Sequence, residues 1–169
     1  GHHAEPGHAM GFCIFSNAAI AARHAQARWG AARVAVLDFD VHHGNGTQAV
    51  AGGDPTLFYG STHQVPCYPG TGMAAEHGVA GNVVNVPLAP GTGSEAFPAA
   101  WAGSILPALG AWAPDLIVIS AGFDAHRADP LAQFRLATQD FAWVTDAIME
   151  VAGARCAGRL VSMLEGGYD

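Results

Sequence analysis

The stretch Asp38-Phe39-Asp40-Val41-His42-His43-Gly44-Asn45-Gly46 decides how this chain is read. It follows Val34-Ala35-Val36-Leu37, a brief, β-branched apolar run of the kind that forms a buried strand. Two carboxylates and two imidazoles therefore emerge together at the carboxyl end of a strand, the edge at which open α/β sheets bind ligands. Asp40 and His42 are two residues apart, so on extended backbone their side chains leave the same side and can converge on one metal ion. Asp38 lies on that side one pleat deeper, placed to brace a neighbour. Gly44 and Gly46 are expected to let the backbone turn tightly straight afterwards. A lone Asp or His at a strand end is usually a cap or a solvated loop residue. The whole combination is far more specific and reads as half of a metal site.

Further strands are expected at Thr56-Leu57-Phe58-Tyr59, from Val83 to Val86, at Leu116-Ile117-Val118-Ile119 and from Leu160 to Leu164. The Leu116 run is apolar throughout, as in a parallel strand covered on both faces. An Ala-rich helix should start at Ser16 or Asn17 and stop after Trp29 at Gly30. Ser94 should cap a second helix running to about Trp112 and kinked by Pro107. A third runs from Thr138 to about Ala152, with Phe141, Val144, Ile148 and Val151 at helical spacing. Between them lies a long irregular stretch that includes Pro66-Cys67-Tyr68-Pro69-Gly70-Thr71-Gly72, and connections of that length usually carry function. Alternating strands and helices predict an α/β domain: three layers, an open and mainly parallel sheet, helices on both faces.

If the strands are parallel, the polar loops Asp38–Gly46, Ala121–His126 and Gly166–Asp169 share one edge of the sheet. Asp124 then supplies a third ligand beside Asp40 and His42. Three protein ligands with a position left open is the arrangement of a catalytic metal site rather than a structural one. A base is still needed, and His2-His3 is the candidate pair, with Asp38 and Asn45 as partners that fix ring orientation. Taken alone, a terminal His pair also fits the remnant of a purification tag. Tyr168 follows two glycines, which would aim its hydroxyl at a developing oxyanion; spacing alone fits an aromatic packed under a turn equally well.

Composition narrows the classes. Half of the 169 residues are hydrophobic and only 12% are charged, which is globular and not disordered, and long enough for one domain with a sizeable core. Net charge is −7 with seven Arg and no Lys, so there is no basic stripe for nucleic acid. The acidity is compatible with a cationic substrate and equally with an ordinary acidic protein. No apolar run approaches a membrane span and nothing resembles a signal peptide. Cys13, Cys67 and Cys156 form no C-x-x-C and read as free thiols in a reducing, cytoplasmic compartment. A first residue Gly1 and a last residue Asp169 directly after a motif suggest a piece of something longer.

In the order in which they occur, His2-His3, Gly11-Phe12-Cys13, Asp38 to Gly46, Tyr68-Pro69-Gly70-Thr71-Gly72, Gly122-Phe123-Asp124 and Glu165-Gly166-Gly167-Tyr168 resemble the zinc-dependent histone deacetylase family. That group includes acetylpolyamine amidohydrolases and acetoin-utilisation proteins, and the resemblance assigns the His pair to the family motif. It implies an arginase/deacetylase-like sheet and removal of acetyl or related acyl groups from acyl-lysine in proteins or from acetylated polyamines. Asp40, His42 and Asp124 would bind one Zn2+. His3 would be general base and then general acid, with Asn45 as its partner, and His2, paired with Asp38, would give electrostatic support. Tyr168 would polarise the amide carbonyl. Gly11, Phe12, Tyr68 and Leu131 would wall the channel for the acyl-lysine stem. A K+ ion would use oxygens of Asp38, Asp40, His42, Ser61 and Thr62.

Asn45 stands where many relatives carry Asp, which points to the class II-like and bacterial branch. Family catalytic domains are roughly twice as long, so residues 1–169 would be the central to C-terminal part of one, incomplete at both ends. The resemblance to arginase-type ureohydrolases is weaker, because Asp-Val-His-His-Gly lacks the pattern for a second metal. The alternative from another class is a non-catalytic fragment that grips acyl-lysine or zinc. Its mark would be loss of His3 or Tyr168, and both are present.

Overall fold

A computed structural model describes all residues 1–169. It contains five strands: β1 (Val34–Asp38), β2 (Leu57–Gln64), β3 (Val83–Leu88), β4 (Leu116–Ala121) and β5 (Leu160–Leu164). They form one sheet in the order β3-β2-β1-β4-β5, with every neighbouring pair parallel. The chain therefore moves one way from β1 through β2 to β3, then crosses back to lay β4 on the other side of β1. The gap between the carboxyl ends of β1 and β4 is a topological switch point, where such sheets open a crevice for ligands.

Period-two alternation sorts each strand onto two faces. Ala35, Leu37, Phe58, Ile117 and Ile119 pack in one layer with Trp101, Leu109, Val144 and Ile148. Val34, Val36, Leu57, Tyr59 and Val118 pack in the opposite layer with Ala18, Ala22 and Ala25 of α1 (Asn17–Trp29). Small alanines let α1 lie close on the sheet, and Gly30 ends it in the left-handed conformation. The result is the three-layer architecture expected from the sequence, parallel throughout. No helix is long and apolar enough to cross a membrane.

Several local expectations need correction. First, β2 continues past Tyr59 to Gln64; Ser61, Thr62, His63 and Gln64 are polar yet buried, because each finds a partner inside the protein. Second, Asn45–Ala51 forms a short helix, α2. Gly46 lies within it and is required for a close approach, not for a turn: a Cβ there would run into the backbone carbonyl of Ala4. Third, Ser94 does not cap a helix. Its hydroxyl donates to Asp140 Oδ2 at 2.7 Å, and the segment begins as α3 (Ala96–Ala100). Fourth, the segment passes through a π-helical turn, Trp101–Ile105, before resuming as α4 (Leu106–Trp112). The wider turn absorbs the clash that Pro107 would otherwise make with the preceding turn, so the helix is bulged rather than simply kinked. The last helix, α5, is longer than expected, Thr138–Cys156.

Trp101, at the start of the π turn, is fully buried and its indole N–H donates to Thr62 Oγ1 at 3.0 Å. Replacing Trp101 by Phe leaves that hydroxyl without its donor and opens a void. The expected cost is roughly 2–4 kcal/mol, read as a lower urea midpoint with an unchanged m-value.

Candidate metal centre and its channel

The metal trio forms where β1 and β4 end. Strand β1 stops at Asp38, so Asp40 and His42 are not aligned by extended backbone as the sequence suggested. They sit in a bend held by the carboxylates themselves. Asp38 Oδ1 accepts the Asp40 N–H at 3.1 Å, and Asp40 Oδ1 accepts the His42 N–H at 2.8 Å. From the far side of the switch point, Asp124 Oδ1 accepts the Val41 N–H at 3.0 Å. His42 Nδ1 then lies 3.2 Å from Asp40 Oδ1 and 2.9 Å from Asp124 Oδ2. One nitrogen and two carboxylate oxygens, all from buried or nearly buried residues, lie within 4.8 Å of one another. Burial opposes charge on the His42 ring, but hydrogen bonds and attraction from Asp124 and Asp40 win and push it up to about 10. The donor set suits a divalent cation with a preference for imidazole and carboxylate.

Glycine makes this convergence possible. A Cβ on Gly166 would strike the Asp124 carboxylate, and its N–H donates to Asp40 Oδ2 at 2.8 Å. The β5 end is thus laid directly over the trio.

His2 and His3 are buried above it, their rings 4.2 Å apart, and they are held in opposite charge states. Burial alone would lower His2. The charges of Asp38 and Asp40, and the hydrogen bond from its Nδ1 to Asp38 Oδ2 at 2.8 Å, instead raise it to about 10. His3 is lowered to about 4, by burial first and then by the positive His2 ring. Its Nδ1 meets Asn45 Oδ1 at 2.9 Å. The Asn45 amide is oriented by its other end, which donates to Glu5 Oε1 at 2.7 Å. Only the oxygen of Asn45 is left to face His3, so Nδ1 carries the proton and Nε2 keeps its lone pair. A neutral imidazole with a free Nε2 is a ready base.

A cavity of about 580 Å3 opens over these groups, lined by His3, Gly11, Phe12, His42, Cys67, Tyr68, Leu131 and Tyr168. All four expected channel residues line it. Phe12 holds a left-handed backbone (φ 62°) and is almost fully exposed, while the Tyr68 ring stands edge-on to His3 at 5.0 Å. Tyr168 stays protonated as a donor: burial, then the charges of Asp124 and Asp40, raise it to about 12. A larger groove of about 900 Å3 lies between α1 and β4–β5, but its titratable residues are only His24, Asp115 and Arg159. Of the two, only the smaller cavity borders the Asp40–His42–Asp124 set, through His42.

Of the residues expected to hold K+, Asp38 and Ser61 are register partners on β1 and β2, and Thr62 follows. The side-chain oxygens of Ser61 and Thr62 already bond His63 and Trp101. Three further residues had no site role in the sequence reading. Cys67 lines the channel. Tyr59, expected only as the end of a strand, donates to Asp38 Oδ2 at 3.0 Å and accepts the Gly44 N–H. Glu165 accepts the His2 N–H at 3.0 Å and the Ser120 hydroxyl at 3.1 Å, tying the His pair to the β5 end. Only the motif Glu165-Gly166-Gly167-Tyr168 hinted at that one.

The geometry defines a parallel α/β protein with a buried Asp–His–Asp set at its switch point that could hold one metal ion. A model of the histone deacetylase domain matches residues 1–169, and the chain belongs to the histone deacetylase family. It is 48% identical over its whole length to histone deacetylase 10, chloroplastic, of Oryza sativa subsp. japonica, covering 39% of that protein. It is 45% identical to a histone deacetylase-like amidohydrolase of Pseudomonas aeruginosa, again over the whole chain and 46% of the relative. A crystal structure of the HDA15 HD domain superimposes with a TM-score of 0.92 at 43% identity, over all of this chain and 48% of that one. The fold is the arginase/deacetylase fold, and the chain spans about half the length of the relatives it matches.

Substituting Asn45 by Asp places a carboxylate against His3 Nδ1 and favours the imidazolium. The His3 titration should then rise from about 4 by on the order of one to three units, followed by NMR of the imidazole. An unmoved titration would deny Asn45 control of that ring.

Proposed function

We propose that the protein to which this chain belongs is a zinc-dependent amidohydrolase that removes acetyl or related acyl groups from a lysine-like amine. The observation that carries this reading is one cavity lined together by a neutral His3, Tyr168 and His42, the last held against the buried Asp40 and Asp124 carboxylates. Asp40, His42 and Asp124 would hold the ion, which supplies Lewis acidity toward a water and an amide carbonyl when bound.

The remaining chemistry falls to side chains. His3 Nε2 takes the proton of the attacking water and returns it to the leaving amine. His2, kept cationic by Asp38, adds a fixed positive charge next to that transfer. Tyr168 donates to the carbonyl oxygen as charge builds there. Phe12, Tyr68 and Leu131 flank the methylenes of the amine stem. A K+ ion would draw on carbonyl or side-chain oxygens of Asp38, Asp40, His42, Ser61 and Thr62, the one hydrogen bond each that Ser61 and Thr62 make to His63 and Trp101 leaving their hydroxyls a free lone pair. Substrates of the class are acyl-lysine peptides or proteins and acetylpolyamines.

The test is hydrolysis of an acetyl-lysine peptide and an acetylpolyamine by the intact protein, with metal quantified and Tyr168→Phe as control. We expect about one zinc per chain and a loss in kcat on the order of 10²–10³ for the control. Stoichiometric metal without cleavage would favour a non-catalytic binder, and no bound metal would remove the reading altogether. Because the base must be neutral and His3 is lowered, activity should persist below pH 6.5 and fail as pH drops toward about 4. An acid limb at 6.5 or above would remove His3 from the role of free base.

A further inference from the structure

Tyr168 is half-exposed and follows Gly166-Gly167, with Gly167 at φ 147°. Neither packing nor the local backbone therefore fixes where its ring points. Its sole hydrogen bond is made by its backbone N–H, which donates to Asp129 Oδ2 at 2.7 Å. The other oxygen of the same carboxylate, Oδ1, accepts the N–H of Leu131 at 3.0 Å. One buried carboxylate thus holds the oxyanion donor with one oxygen and a channel-wall residue with the other. Hydrogen bonds from N–H groups to a carboxylate are stronger than neutral ones, and a carboxylate has acceptor capacity for both.

Asp129 is itself well anchored. Its N–H donates to His126 O at 2.9 Å, and the loop around it is pinned by Arg127 N–H to Leu136 O and Leu136 N–H to Ala125 O. That loop begins at the metal-ligand candidate Asp124. The chain from Asp124 to Leu136 therefore reaches from the metal centre around to the channel wall, and Asp129 is the point from which it grips the β5 end.

We propose that Asp129 is a positioning residue for deacylation: it sets the Tyr168 hydroxyl against the reacting carbonyl and, through Leu131, fixes a second residue of the acyl channel's wall. The inference rests on the amidohydrolase reading for its catalytic consequence, though not for the contact itself. Asp129 touches no substrate. It acts by removing the freedom that two glycines give Tyr168, and misplacement of a reacting group by about 1 Å can cost on the order of 10²-fold in rate.

The test uses the intact protein with Asp129→Ala, Asp129→Asn and each combined with Tyr168→Phe. Asn keeps one acceptor oxygen and turns an NH2 toward one of the two N–H groups, so it should fold where Ala fails and still loosen one contact. We expect Asp129→Ala to lower kcat for an acetyl-lysine peptide by about 10- to 100-fold with unchanged zinc content. In the Tyr168→Phe background the further loss should be under about threefold, because the two residues act through one hydroxyl. Hydrogen exchange should show the Tyr168 amide losing protection while the Phe123 amide, bonded to Gly166 O, keeps it. Fully additive losses would make Asp129 a support of the fold only and overturn the proposal. Unchanged kcat, or a Tyr168 amide still protected, would do the same. If the wild type hydrolyses no acyl substrate, the amidohydrolase reading falls, and exchange at Tyr168 still decides whether Asp129 holds that residue.

Discussion

Three carboxylates, Asp38, Asp40 and Asp124, are buried side by side at the centre of the sheet edge, and the rest of the structure answers that constraint. Like charges out of water repel one another and have lost their hydration, a cost of several kcal/mol per ion unless positive charge and hydrogen bonds replace it. The protein supplies both. Backbone N–H groups of Asp40, Val41, His42 and Gly166 point into the cluster. Two imidazoles, His2 and His42, are drawn toward the cationic form beside it. The negative field that favours protons on those rings would equally favour a divalent cation at Asp40, His42 and Asp124.

The topology follows from where such a cluster can be built. Asp38–Asp40 ends β1 and Asp124 follows β4, and the reversal of strand order between them opens the sheet edge there. Neither strand alone could surround an ion. The other two layers close the site from behind: α1 and α2 seat the sheet on one face, while the π-turn helix and α5 seat it on the other. Trp101 links the two scales, filling the core and holding Thr62 near the carboxyl end of β2.

Much of this was legible in the sequence because it rests on short-range signals. Apolar runs ending in Asp, His and Gly identified β1, β4 and β5 and their shared edge, and the parallel sheet then brought Asp40, His42 and Asp124 together. The misreadings share a cause, which is tertiary context. A run such as Ser61-Thr62-His63-Gln64 reads as loop until its partners across the fold are known. Gly46 reads as a turn residue until Ala4 is found against it. Ser94 reads as a cap until Asp140, from α5, claims its hydroxyl. Likewise, residue type alone suggests that Asp40 and His42 converge, but the bend that aims them is made by hydrogen bonds among the carboxylates themselves.

The two adjacent histidines show how far such an environment can separate identical side chains. His2 faces Asp38, a buried anion, and is kept charged; His3 faces Asn45, a neutral acceptor, beside an already positive neighbour, and is kept neutral. Pairs of titratable groups pushed apart in this way mark an acid/base division of labour. Asn45 is suited to its place because it fixes the His3 tautomer without adding a further buried negative charge to the cluster. A carboxylate there would also sit against Glu5, whose oxygen the Asn45 amide now satisfies. The amide therefore orients the His3 ring and spares the site a further repulsion, while the low basicity of His3 comes first from burial and then from the positive His2 ring, against the Asn45 hydrogen bond, which raises it.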